Sequence, residues 1–279
     1  MHARAGMHAY RLAAHTEALE HLEAALALGH PDLAWVYETI GDVHTLQGAY
    51  DRALRSYETA ASHAEGDRLA TVEHKLAQLH QRRGDWALSE THLRAAEAVL
   101  KVGGDNQALQ ARIAADRCLT AHELGRPQEA RAAAQGSLEF AEAAHDPAAR
   151  AQAHNVLGIL LGGTDPDAAR RHLQASLALT GRLEDPSARV AALNNLARLE
   201  ARSGDHDSAV KLLEEALEAC RRQGDRHREA ALCNNLADVL HAADRGDEAM
   251  ARLKEAVTIF ADIDDPAQRE PEVWKLTTW

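Results

Sequence analysis

Apolar residues along the chain recur three and four positions apart, the spacing that gathers them on one face of a helix. Over that pattern runs a longer one, in which a small residue is followed at fixed distance by a large apolar one. It is clearest in Tyr37-x2-Ile40-Gly41-x2-His44, followed by Gly48, Tyr50, Ala53-x3-Tyr57 and Ala60. Before it stand Gly6, Ala18-x3-Leu22 and Ala25; after it Leu76-Ala77, Gly84, Trp86, Ser89-x3-Leu93 and Ala96. A degenerate copy follows (Cys118, Gly125, Ala130-x3-Ala134, Ser137), then Leu157-Gly158-x2-Leu161 with Ala169-x3-Leu173 and Ser176. The last two copies are Leu193-x2-Leu196-Ala197 with Ala209-x3-Leu213 and Ala216, and Leu236-Ala237-x2-Leu240 with Ala249-x3-Leu253 and Ala256. The period lengthens from about 35 to about 40 residues, the range of repeats that stack into solenoids.

Each copy predicts a helical hairpin. The small residue sits where two helices cross closest, and the large residues fill the space between layers. Turn residues fall inside the hairpins at Gly48-Ala49, Gly84-Asp85, Gly125-Arg126-Pro127 and Gly204-Asp205. Between later hairpins stand Asp146-Pro147, Asp185-Pro186, Gly224-Asp225 and Asp265-Pro266, where Asp suits the N-cap and Pro the first helical position. The expected architecture is an all-α solenoid over residues 1–265, with units at about 1–31, 32–66, 67–104, 105–146, 147–185, 186–225 and 226–265. Residues 266–279 form a tail whose Trp274 and Trp279 are expected to cap the last helix around Leu253, Val257 and Phe260; a disordered tail is the other option. Met1 falls almost inside the first helix without a capping residue, which suggests a cut through a longer array.

Composition narrows the function. Alanine fills roughly a fifth of the chain, well above ordinary usage, and aromatic residues only 4%. That excludes a β-sandwich or barrel and favours helices. The net charge of −12 argues against direct nucleic-acid binding. Three cysteines, Cys118, Cys220 and Cys233, are too few for a disulfide framework and suit reduced thiols in a cytoplasmic setting. There is no apolar run of membrane-spanning length and no N-terminal signal region.

The motif resembles the tetratricopeptide repeat, whose pattern runs W-x2-L-G-x2-Y and then A-x3-F. The resemblance covers nearly the whole chain and implies a right-handed superhelix. The later units, Ala192-Leu193-Asn194-Asn195-Leu196-Ala197 with Leu212-Leu213-Glu214-Glu215-Ala216-Leu217, are similar to a subgroup with repeats of roughly 40 residues. That subgroup follows the ATPase core of bacterial signal-transduction ATPases, including LuxR-type and maltose-regulator-like transcription activators. The tail Pro271-Glu272-Val273-Trp274-Lys275-Leu276 also resembles the end of some such chains. In that family the array senses an effector or partner and controls the ATPase. The phosphate-binding loop G-x-x-x-x-G-K-[ST] is missing here, and no DNA-reading helix pair stands out.

The resemblance also implies that the first helix of each hairpin lines a concave groove. The candidate partner-binding residues are Asn155, Asn194, Asn195, Arg198, Arg202, Asn234, Asn235 and Asp238. Amide side chains carry donor and acceptor together, so a ladder of them suits an extended peptide backbone. Asn195 and Asn235 match the Asn that does this in peptide-binding relatives. The alternative is that these amides bond to adjacent helices and set the stacking. Arg198 and Arg202, one turn apart, suit an anionic group such as a C-terminal carboxylate; pairing with Glu200, Glu214 or Glu215 is the plainer option. Glu38, Asp42, His74, Lys75 and Arg82 make the groove electrically mixed. The Lys/Asn clamp of chaperone-binding relatives is not reproduced, since Ala3 and Met7 stand at its positions.

Seventeen histidines invite a metal reading, but no H-E-x-x-H or C-x-x-C occurs, and no nucleophile–base set emerges from spacing. Cys220 and Cys233, on neighbouring helices, suit packing rather than a redox pair. The expectation is a non-enzymatic scaffold for a protein or peptide, without cofactor or metal, with a homo-oligomer as an option. It would be the sensor module of a bacterial signalling ATPase or regulator. A stand-alone adaptor is the alternative, and a metal- or small-molecule-dependent enzyme the remote one.

Overall fold

The structure, a computed structural model, describes residues 1–103, 106–181, 183 and 186–263. Among these there are fourteen helices and no strand. They pair as seven hairpins: α1 (His2–Arg11) with α2 (His15–Ala27), α3 (Leu33–Leu46) with α4 (Tyr50–Ser62), α5 (Gly66–Arg82) with α6 (Trp86–Gly103), α7 (Gln107–Glu123) with α8 (Pro127–Ala144), α9 (Pro147–Leu161) with α10 (Pro166–Thr180), α11 (Ser187–Arg202) with α12 (His206–Gln223), and α13 (Arg226–Ala242) with α14 (Gly246–Asp262). The expected capping tail, residues 266–279, lies outside the described residues, as does Asp185.

Local signals account for the breaks. Gly48, Gly84, Gly125 and Gly204 have positive φ, which lets the chain leave one helix and enter the next with no Cβ penalty. Ala13 and Asp244 hold the same left-handed conformation at the corresponding turns of the first and last hairpins. Asp146 and Asp225 accept hydrogen bonds from the backbone N–H of Ala149 and Arg228 and so cap α9 and α13, with Pro147 in the first turn of α9.

The small positions permit close crossing. A Cβ on Gly41 would lie 2.5 Å from the Tyr57 ring, and one on Gly158 would lie 2.5 Å from Leu173 Cγ. In the second helices, buried Ser137 and Ser176 donate to the carbonyls of Ala111 and Ala151 in the neighbouring first helices, so their hydroxyls are satisfied in the core.

Successive first helices pack on one another, α1 on α3, α3 on α5, α5 on α7, α7 on α9 and α9 on α11, whereas no pair of successive second helices packs comparably. The first helices therefore form the inner, concave layer. The curvature carries the stack back upon itself. Arg82 at the end of α5 makes a two-pronged ion pair with Asp225 between α12 and α13, at 3.0 and 2.8 Å. His15 Nε2 donates to the Gln223 carbonyl. The Tyr50 ring meets His227 at 5.4 Å, and His227 in turn meets Phe260. Ile263, buried beyond α14, lies against Gly48. The inner turns of hairpins one to three thus rest on hairpins six and seven. This seam consists of individual side-chain contacts, without the broad helix-on-helix packing found inside the stack.

Candidate functional site

Three polar groups line the inner layer. In the second and third hairpins, Lys75 bonds to Asp42 and Glu38 at 2.7 Å each, Arg68 bonds to Glu38 at 2.9 Å, and the Tyr57 hydroxyl donates to Asp42 at 2.8 Å. Burial pushes the Asp42 carboxyl up, and Lys75 pulls it back. Burial also opposes the Lys75 charge, but Asp42 and Glu38 outweigh it and hold Lys75 above its ordinary value. Of the charges expected to give a mixed groove, Glu38, Asp42 and Lys75 are here joined with Arg68 into one neutralised cluster.

The second group centres on Asp116 of α7, which is buried. It accepts from Gln78 at 2.8 Å and Gln152 at 3.0 Å, and His74 Nε2 lies 2.6 Å from its carboxylate. Gln81 adds bonds to the Asp116 carbonyl and to the Thr120 hydroxyl. One carboxylate thus ties α5, α7 and α9 together. Asp116→Ala is expected to cost about 2–4 kcal/mol, because it strands the buried His74 and the half-buried Gln78 and Gln152. A urea midpoint equal to that of the wild type would show that the hub does not hold these hairpins.

The third group contains the amides. Asn195 Nδ2 donates to Asn155 Oδ1 at 3.0 Å, and Asn235 Nδ2 donates to Asn194 Oδ1 at 2.8 Å. Two rungs therefore step from α9 to α11 and from α11 to α13. Asn155 is buried, and Asn194, Asn195, Asn234 and Asn235 are partly exposed. An amide has three or four bonding sites, so a single rung does not exhaust it.

Arg198, Arg202 and Asp238 are exposed on the same helices. The pairing of Arg198 and Arg202 with Glu200, Glu214 or Glu215 is not found. Arg170 holds Glu200 through two bonds of 2.8 and 2.9 Å, and Arg189 holds Glu215. Among the described residues, neither Arg198 nor Arg202 makes a hydrogen bond or ion pair. Arg202 lies over the end of α9, where a Cβ on Gly162 would come within 2.8 Å of its guanidinium.

Arg82, expected in the groove, is held by the seam instead. Burial alone would raise the Asp225 carboxyl, but Arg82 and Arg228 outweigh it and hold it well below the usual carboxylate range. No periodic signal marks Asp225, Asp116 or Gln152 as partners, because each acts through a single long-range contact.

Among the described residues, no group of three His, Cys, Asp or Glu side chains is placed to hold a metal ion, and no helix is long and apolar enough to cross a membrane. Burial pushes all three thiols up to about 12, so they are protonated packing groups at neutral pH.

Comparison with known proteins follows the same lines. Two tetratricopeptide repeat models match, one over residues 68–143 and 189–262, more than half of the chain, and another over residues 36–69. No curated protein matches in sequence. A Rap protein complexed with Competence and Sporulation Factor superposes with a TM-score of 0.67 at 14% identity, covering 95% of this chain and 77% of that one. A tetratricopeptide repeat protein from Parabacteroides merdae gives 0.56 at 19% identity, covering 95% and 93%. A signal transduction ATPase with numerous domains and a tetratricopeptide repeat sensor, from Pyrococcus horikoshii, gives 0.59 at 14% identity, covering 89% of this chain and 40% of that one. These likenesses establish the shared fold, and the repeat match across most of the hairpins establishes that the chain belongs to the tetratricopeptide repeat family.

Proposed function

We propose that the chain is a protein- or peptide-binding scaffold that serves as the effector-sensing module of a bacterial cytoplasmic signalling ATPase or LuxR- or maltose-regulator-like activator. The observation that carries the binding role is the pair Arg198 and Arg202, exposed and, among the described residues, without a polar partner beside the two amide rungs. An extended peptide would lie along Asn155, Asn194, Asn195, Asn234 and Asn235, with a carboxylate or acidic side chain at the two guanidiniums. Asp238 follows on α13, exposed on the same face. The likeness to the Pyrococcus sensor ATPase supports the module role, because most of that protein lies outside the match. The likeness to the Parabacteroides protein favours the second reading, a stand-alone adaptor, because this chain spans nearly all of it.

Affinity capture from the source cell separates the readings. Capture of a protein with an ATPase core supports the sensor role, and capture of one without it supports the adaptor. Asn195→Ala with Asn235→Ala, and separately Arg198→Glu with Arg202→Glu, are expected to weaken capture about tenfold or more. The lost rungs cost about 1 kcal/mol each, too little to unfold the array. Undiminished capture by both double variants would rule out this face.

A further inference from the structure

Where the stack closes, the seam lines a half-open cavity of about 610 Å³. One wall comes from the first two hairpins, through Tyr10, Arg11 and Leu46, and the other from the end of α12, through Ala219, Arg222 and Gln223. Sites for small organic ligands span roughly 300–1,000 Å³ and combine an apolar body with a few placed polar groups. Leu46 and Ala219 are buried and supply the apolar surface.

Charge at the cavity runs against that of the whole chain. Arg11 and Arg222 are exposed, and neither makes a hydrogen bond or ion pair among the described residues. The neighbouring arginines are neutralised: Arg82 by Asp225, Arg221 by Glu229 and Glu255, and Arg226 by Glu229. His15, which bonds to the Gln223 carbonyl at this edge, is held neutral at pH 7 by burial. In a protein of net charge −12, two guanidiniums without a partner among the described residues line one partly apolar cavity.

We infer that the seam cavity binds an amphipathic organic anion, its carboxylate or sulfonate between Arg11 and Arg222 and its apolar body against Leu46, Tyr10 and Ala219. The site is independent of the peptide role assigned to the inner layer. Because each half of the chain supplies one wall, the complete site exists only in the closed stack, and occupancy favours closure by mass action.

The test uses two probes with the same aromatic body. 1-Anilinonaphthalene-8-sulfonate carries the anion, and N-phenyl-1-naphthylamine lacks it. The sulfonate is expected to bind one saturable site, more tightly than the amine. Arg11→Gln with Arg222→Gln is expected to weaken the sulfonate about tenfold or more while leaving the amine unchanged, as loss of charge-assisted bonds requires. Both arginines are exposed, so the variant retains the wild-type melting temperature. Saturation of the wild type is expected to slow amide exchange in residues 9–15 and 219–228, on the two walls. Equal affinity for the two probes, an unweakened double variant, or unchanged exchange on either wall would overturn the assignment.

Discussion

Asp225→Asn is expected to cost about 3–5 kcal/mol and to open the closed stack. The Asp225 side chain is fully buried, makes two bonds to Arg82, and lies 3.7 Å from Arg228. Asparagine keeps the shape and still caps α13 through the Arg228 N–H, so the substitution removes little but charge. It leaves Arg82, itself only 20% exposed, without its counter-ion. The hairpins on either side have their own cores, so loss of the pair first releases the thin seam. Small-angle scattering is expected to show a larger radius of gyration, and urea unfolding a lower midpoint. A variant with unchanged radius and midpoint would show that the pair does not hold the seam.

The same contact sets a pH dependence. Burial, with Arg82 beside it, lowers His227 from 6.5 to about 4. The unfolded chain takes up that proton near pH 6.5, and the folded chain only near pH 4. Stability is therefore full above 6.5 and declines as pH falls toward 4. His15, His44, His80, His154 and His172 are likewise lowered by burial and act in the same sense. Asp225, with its depressed carboxyl, fails only further into acid. Melting temperatures between pH 7 and 4.5 are expected to fall, and less steeply in His227→Phe. Identical slopes would remove His227 from the account.

Gly158→Ala carries the second large effect. In an open helix that change is worth up to about 1 kcal/mol in favour of alanine. Here the added Cβ would meet Leu173 Cγ at 2.5 Å and the Ala169 carbonyl at 3.3 Å, in a place with no slack. The clash outweighs the propensity, and a net loss of about 1–3 kcal/mol is expected. Leu173→Ala alone leaves a void worth about 2–5 kcal/mol. Combined, the two substitutions are expected to cost less than their sum by about 1 kcal/mol or more, since one relieves the crowding that the other creates. Strict additivity would show that the crossing is not set by this pair.

The hairpins were legible because their determinants are local or periodic. Gly48 and Gly84 announce left-handed turns, Asp146-Pro147 announces a helix start, and the partners Gly41 and Tyr57 stand at the same separation as Gly6 and Leu22. The amide rungs were half legible. The matching positions of Asn194-Asn195 and Asn234-Asn235 predicted a ladder, but not whether the amides bond to one another. The Asp116 hub escaped because its unit is degenerate in its small and large positions, although it is the most connected of the inner layer. The seam left no trace in the pattern. Arg82 and Asp225 are 143 residues apart, and each alone passes for a groove charge or a helix cap. Closure depends on accumulated curvature, which no window of the sequence contains.

The closed seam makes repeat number a structural constant. An open array accepts the duplication or loss of a unit anywhere, because each hairpin answers only to its neighbours. Here one hairpin added between α5 and α13 would carry Asp225 past Arg82, His227 past Tyr50 and Ile263 past Gly48, all at once. The chain can be altered within its units but cannot be lengthened by one in the middle without losing its closure.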